Sequence, residues 1–400
     1  MVNPKKHTLV ALGYLLVIAL LGVFLRLFFV VSIPVDYRYI VHSHSHVALL
    51  GWVYTGLTTL IYWQYLVKAE QAKKYRRIFI STQITIIGML VVFPFTGYAL
   101  FSIIFSTLFL LVSYWFLWFF LKYTTSEQKR TNGYKCIRLA LWYMVLSSIG
   151  PWALGIIVTT LGSGSDLYRN AIYFYLHFQY NGWFIVALFG ILIHVLEENK
   201  IMLSKTLFNR FYWTLNSGVM LTYFLSILWM EPHMLFYVLA GIGAVLQVIS
   251  FGILFAKIHR LWGVLSTHFS GIVQFILKSA VFFYCIKLVA QFMGAIPYFA
   301  TSVAQNKDFV IGYIHWVFLG VISVCVFGFL SYYKLMKISK REFIVYLVGF
   351  SLTEVLIFYK GIVLWLGFPL LENYFMLLFI TSVFFLLAIT AIFRRQFLTE

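Results

Sequence analysis

Charged residues are scarce in this chain, at 10% of 400 positions, and acidic ones scarcest, with 12 Asp and Glu against 30 Lys and Arg. With 62% hydrophobic residues, a soluble protein of this length could not hide its apolar surface, whereas a bilayer takes it up directly. Cysteine is nearly absent. Cys136, Cys285 and Cys325 are too few and too scattered for a disulfide framework or a zinc site. No connecting segment exceeds about fifteen residues, which excludes an extramembrane domain able to fold alone. The first apolar stretch lacks a small-residue cleavage site and outruns a signal-peptide core, so it reads as a true span.

What is present in quantity is hydrocarbon-length apolar sequence. Twelve stretches of about 20 residues or more stand out, at 8–33, 39–67, 77–97, 99–121, 137–160, 170–196, 207–229, 233–256, 266–291, 308–332, 342–366 and 373–394. Residues 1–400 thus read as a single polytopic domain. The net charge of +18 suggests nucleic acid, but its distribution argues otherwise. With the N-terminus and the even-numbered loops on one side, 23 of the 30 Lys and Arg fall on that side and only Arg38, Arg169 and Lys307 on the other. This is the positive-inside asymmetry, which puts both termini in the cytoplasm of a bacterial-type inner membrane. The expected partner of the basic charge is the lipid bilayer, not nucleic acid.

The histidines gain meaning from this topology. His44 follows Tyr39 by five residues, His177 follows Asn170 by seven and His315 follows Asp308 by seven. At 1.5 Å per residue these lie roughly 8–10 Å inside their spans, all entered from the outer side. His233 sits in the outer turn before the eighth span, so four histidines share one layer. An interfacial histidine often only bonds a headgroup, a water or a neighbouring helix, which is how His7, His194 and His259 read. Each deeper imidazole needs a partner, because an unpaired polar group in hydrocarbon costs about 2–7 kcal/mol. Two imidazoles at matched depth are what a six-coordinate haem requires. In the run HSHSH, His42 and His46 share a helical face and His44 points nearly away, so geometry alone leaves the ligand open. No Cys-x-x-Cys-His occurs, so covalent haem attachment is not expected.

The stretches HSHVALLG, HFQYNGW, EPHMLFY and DFVIGYIHWVFLG resemble those of subunit I of the haem–copper oxidase superfamily, nearest to C-family oxidases and bacterial nitric oxide reductases. The resemblance implies an all-α integral membrane fold, a twelve-transmembrane-helix bundle. It implies one low-spin haem b held by His44 and His315, with His46, His42 and Tyr313 as alternative ligands. His44 precedes Gly51 by seven residues, as the family's ligand does, and His46 stands where the family often has an amide. The binuclear centre is incomplete. Tyr313 replaces the histidine of the high-spin haem, Asn181 stands where nitric oxide reductases carry a glutamate, and the histidine pair reads His233-Met234. His177, His233 and Met234 could form a remnant site for Cu(I), so copper is possible but not expected. The loop GFPLLEN lacks the family's propionate-binding arginines, leaving Arg26 and Arg38 as candidates.

Lys278 and Glu354 lie near the middle of their spans, where ionisable groups pair or serve protons, so they are expected to face one another or a polar cavity. Lys287 and Lys360, nearer helix ends, are expected to snorkel. The reading that follows is a haem-binding membrane protein with a degenerate active site. It would transfer electrons or bind or sense a diatomic gas, with an unknown redox partner or accessory subunit. The alternatives are an active oxygen or nitric oxide reductase and, further off, a secondary transporter.

Overall fold

The computed structural model describes residues 3–67 and 69–398, and no strand occurs among them. The long helices of the described residues are α1 (Pro4–Leu27), α2 (37–65), α3 (Ala69–Thr96), α4 (Leu100–Tyr123), α5 (Asn132–Thr160), α6 (Asp166–Glu198), α7 (205–230), α8 (Met234–Arg260), α9 (Gly271–Met293), α10 (Lys307–Tyr332), α11 (Lys340–Trp365) and α12 (Tyr374–Arg395). Short polar residues start them. Asn3, Asp36, Thr131, Ser165, Ser204, Asn306 and Ser339 each accept a hydrogen bond from a backbone N–H of the following first turn. Pro4 opens α1 where its missing N–H costs nothing. Between α3 and α4 the chain reverses within three residues, which Gly97 permits with φ at +57°.

Ten of these helices are long and apolar enough to cross a membrane. The chain is therefore an all-helical, multi-pass membrane protein. The two expected spans outside that set are α2, which opens on YRYIVHSHSH, and α7, which opens on KTLFNRFYW and tightens into a 3-10 helix over Tyr223–Met230. Their polarity, not their length, sets them apart.

Two compact units divide the chain: residues 1–124 with 323–400, and residues 125–322. In the first unit α1 packs against α2 and α12, α3 pairs with α4, and α11 with α12. In the second, α5 pairs with α6, α7 with α8, and α8 with α9. Each unit has an interior helix. Every residue of α2 from Leu49 to Tyr62 is buried. The apolar stretch of α6 is 83% buried, against 28–50% for the other nine helices of the apolar set. A helix buried on all sides can hold polar groups away from lipid, and these two helices carry His44 and His177.

Candidate functional site

Three histidines stand at the same kind of backbone irregularity. The α-helical hydrogen bonding of α2 gives way to a π-helical stretch over Val47–Tyr54, directly after His46. In α6 the change covers Phe178–Ile185, directly after His177, and in α10 it covers Trp316–Ser323, directly after His315. π-Helical turns are rare and concentrate at functional sites. Each stretch contains a glycine five residues after its histidine: Gly51, Gly182 and Gly320. The first two serve the same contact. A Cβ on Gly51 would lie 2.8 Å from Tyr14 Cγ of α1, and a Cβ on Gly182 would lie 2.7 Å from Tyr143 Cγ of α5. The pattern His-x4-Gly thus recurs at roughly 130–140 residue intervals, with the tyrosine contact at the first two.

In the first unit the three histidines of α2 have distinct surroundings. His46 is occupied at both ring nitrogens: Nδ1 lies 2.8 Å from the His42 carbonyl and Nε2 lies 3.1 Å from the Tyr98 hydroxyl. His42 packs edge-on against Tyr98, with ring centroids 4.6 Å apart. His44 turns the other way, toward α1, where Nδ1 donates to the Ile18 carbonyl at 3.1 Å. One turn along that face, Gly22 leaves room for the imidazole, its would-be Cβ 3.5 Å from His44 Cε1. A further turn brings Arg26, which interacts electrostatically with His44 and with the buried carboxyl of Glu354 on α11. Ile18, Gly22 and Arg26 form one i, i+4, i+8 stripe, the face an α-helix presents to a single neighbour. A histidine whose Nδ1–H is anchored on a carbonyl presents Nε2 with its lone pair, the arrangement of metal-ligating imidazoles.

The first unit also fixes how α2 runs beside the last part of α10. Trp52 Nε1 donates to Ser323 Oγ at 2.7 Å, a partnership 271 residues apart in the chain. Further along, Gly56 meets Val326, and Gln64 Nε2 donates to the Tyr333 hydroxyl at 2.9 Å, 269 residues apart. A nearly constant offset that rises together on both strands of contact means parallel helices in register.

The second unit treats its histidine differently. His177 is 2% exposed, its Nε2 lies 2.8 Å from the Val219 carbonyl of α7, and its Nδ1 lies 3.4 Å from Asn181 Nδ2. Aromatic rings surround it. Tyr223 is 5.8 Å from the His177 ring, and Tyr180 is 6.3 Å from it. Tyr180 in turn stands 6.5 Å from Tyr313 and 6.2 Å from Phe318 of α10, centroid to centroid. At those separations the rings pack against one another.

Several sequence expectations change here. His233 is exposed and caps α8, accepting at Nδ1 from the Leu235 N–H at 3.3 Å, and Met234 is 56% exposed. Neither joins the buried His177, and no group of three or more His, Cys, Asp or Glu able to hold a metal occurs among the described residues. A helix start is where the chain exposes polar groups, which is why His233 and Met234 face outward. Arg38 is also exposed, in the first turn of α2, whereas Arg26 reaches His44. Lys278 is exposed with its Nζ 5.6 Å over the Trp262 ring, and the electrostatic partner of Glu354 is Arg26. The lysine that goes inside is Lys287, at 0% exposure. Depth along a helix does not say which face is turned inward.

The chain matches no protein-family model and no curated protein.

Proposed function

We propose that this is a twelve-span membrane protein holding one low-spin haem b between His44 and His315. The observation that carries the proposal is the setting of His44 within the first unit, with Nδ1 held on the Ile18 carbonyl, Gly22 against the ring and Arg26 beside it. His315 is taken as the second ligand on the resemblance of DFVIGYIHWVFLG. Both positions stand one to three residues before a π-helical stretch. His44 is also the one histidine of HSHSH with Nδ1 tied to another helix, which fits a ligand role better than His46, whose two nitrogens are engaged.

The residues fit the group in three respects. The Ile18 carbonyl holds the His44 ring in one orientation and one tautomer. Gly22 keeps α1 clear of that ring. Arg26 supplies positive charge beside it, suited to a propionate. Haem bound there would supply a one-electron couple. The reading of one haem, and of electron transfer or gas sensing in place of turnover, rests on the resemblance, in which Tyr313 stands in place of the histidine of the high-spin haem.

The test is a pyridine haemochrome assay with a reduced-minus-oxidised spectrum on purified protein. One b-type haem per chain is expected, with a low-spin spectrum lost in both His44→Ala and His315→Ala and retained in His46→Ala. A high-spin signal with carbon monoxide binding and turnover of oxygen or nitric oxide would instead make the protein an enzyme. A colourless protein that accumulates a solute would make it a transporter.

A further inference from the structure

Lys287 is the buried cation that the haem reading does not use. It lies on α9, six residues before Met293 and so roughly 9 Å from the end of the helix. Its side chain is fully buried, and Nζ donates to Gln247 Oε1 of α8 at 2.8 Å. Gln247 Nε2 donates to Thr222 Oγ1 of α7 at 2.9 Å, and Thr222 Oγ1 donates to the Gly218 carbonyl at 2.8 Å. The run ends on a backbone acceptor, so the amide of Gln247 is held with its oxygen toward the amine. An ammonium has three N–H donors, and this run satisfies one of them.

The rest of the surroundings offer no negative charge. The Tyr284 ring lies 5.5 Å from Nζ, His177 is the nearby titratable group, and no carboxylate bonds to Lys287 among the described residues. One turn along the same buried face of α9 is Gln291, 3% exposed, with neither amide atom hydrogen-bonded. Burial of a cation without a counter-charge is costly, and so is burial of an amide without partners. A small anion would accept from the spare amine N–H groups and from the Gln291 amide N–H, leaving Gln291 Oε1 to the amine or to water.

We infer that Lys287 and Gln291 form a binding site for a small monovalent carboxylate or oxyanion within the second unit. The site uses no residue of the proposed haem pocket. It therefore stands or falls separately from that reading.

Formate is the probe, added to purified wild-type protein in chloride-free HEPES buffer, with thermal unfolding followed by tryptophan fluorescence. Formate is expected to raise Tm saturably by a few degrees, with the response abolished in Lys287→Met, weakened tenfold or more in Gln291→Leu and kept in the exposed-lysine control Lys278→Met. Should Lys287→Met fail to fold, Gln291→Leu decides the matter. An undiminished response in Gln291→Leu, or the absence of any response in wild type, would overturn the inference. Haem content is measured on the same samples. A colourless wild type that still responds to formate, with the response lost in Lys287→Met, would uphold the anion site and end the haem reading.

Discussion

His44 in the first unit and His177 in the second begin from the same local design. Each precedes a π-helical stretch on the interior helix of its unit, each has a ring nitrogen on a carbonyl of a neighbouring helix, and each has a cation close by. The outcomes differ because of which nitrogen is tied and what stands around the other. His44 is anchored through Nδ1, beside a glycine and an arginine. His177 is anchored through Nε2, with Asn181 against Nδ1 and tyrosine rings on either side. The first arrangement suits the ligand role proposed for His44, and the second packs the His177 ring among other side chains. In α2 the recurring position before the π-helical stretch belongs to His46, two residues beyond His44, so position marks shared architecture and the surroundings of each ring nitrogen set the chemistry.

The largest effect should separate the two directly. His44→Ala is expected to remove the haem entirely while His177→Ala keeps it, read by haem-to-protein ratio. His177→Ala should instead destabilise the second unit by roughly 2–3 kcal/mol through the lost hydrogen bond and the cavity, read as a lower Tm. Finding equal haem loss in both variants would break the contrast.

Next come the glycines that the units share. Gly51→Ala and Gly182→Ala each push a methyl group to within 3 Å of a buried tyrosine, at a cost of about 1–3 kcal/mol. Similar losses of Tm are expected, and Tyr14→Leu or Tyr143→Leu in the same chain should relieve them. A tolerated Gly182→Ala beside a damaging Gly51→Ala would show that the repeat is not structurally equivalent.

The smallest effect concerns His46. Tyr98→Phe removes the hydroxyl bonded to its Nε2, worth about 0.6 kcal/mol for a typical bond within a membrane protein. A Tm shift near the limit of detection is expected, with an unchanged haem spectrum. A changed spectrum would bring His46 back as a ligand.

Much of the helical layout was legible in residue order. Ten of the twelve expected stretches are, among the described residues, helices long and apolar enough to cross a membrane, because hydrocarbon-length runs and polar caps are local signals. Lys278 and Lys287 were not legible. Both lie on α9, and only the packing of α8 against it shows that Gln247 draws Lys287 inward while Lys278 turns out toward Trp262. Nor could residue order choose among His42, His44 and His46, since the wheel separates two faces without saying what lies opposite each.

By itself, then, the sequence determined an all-helical chain for the membrane, with its histidines grouped on a few helices, because apolar length and helical period are properties of neighbouring residues. Tertiary structure alone decided which ring nitrogen meets a carbonyl, which lysine is sealed from solvent, and which arginine stands beside a histidine. Those outcomes depend on side chains from segments hundreds of residues away, and nothing local specifies them.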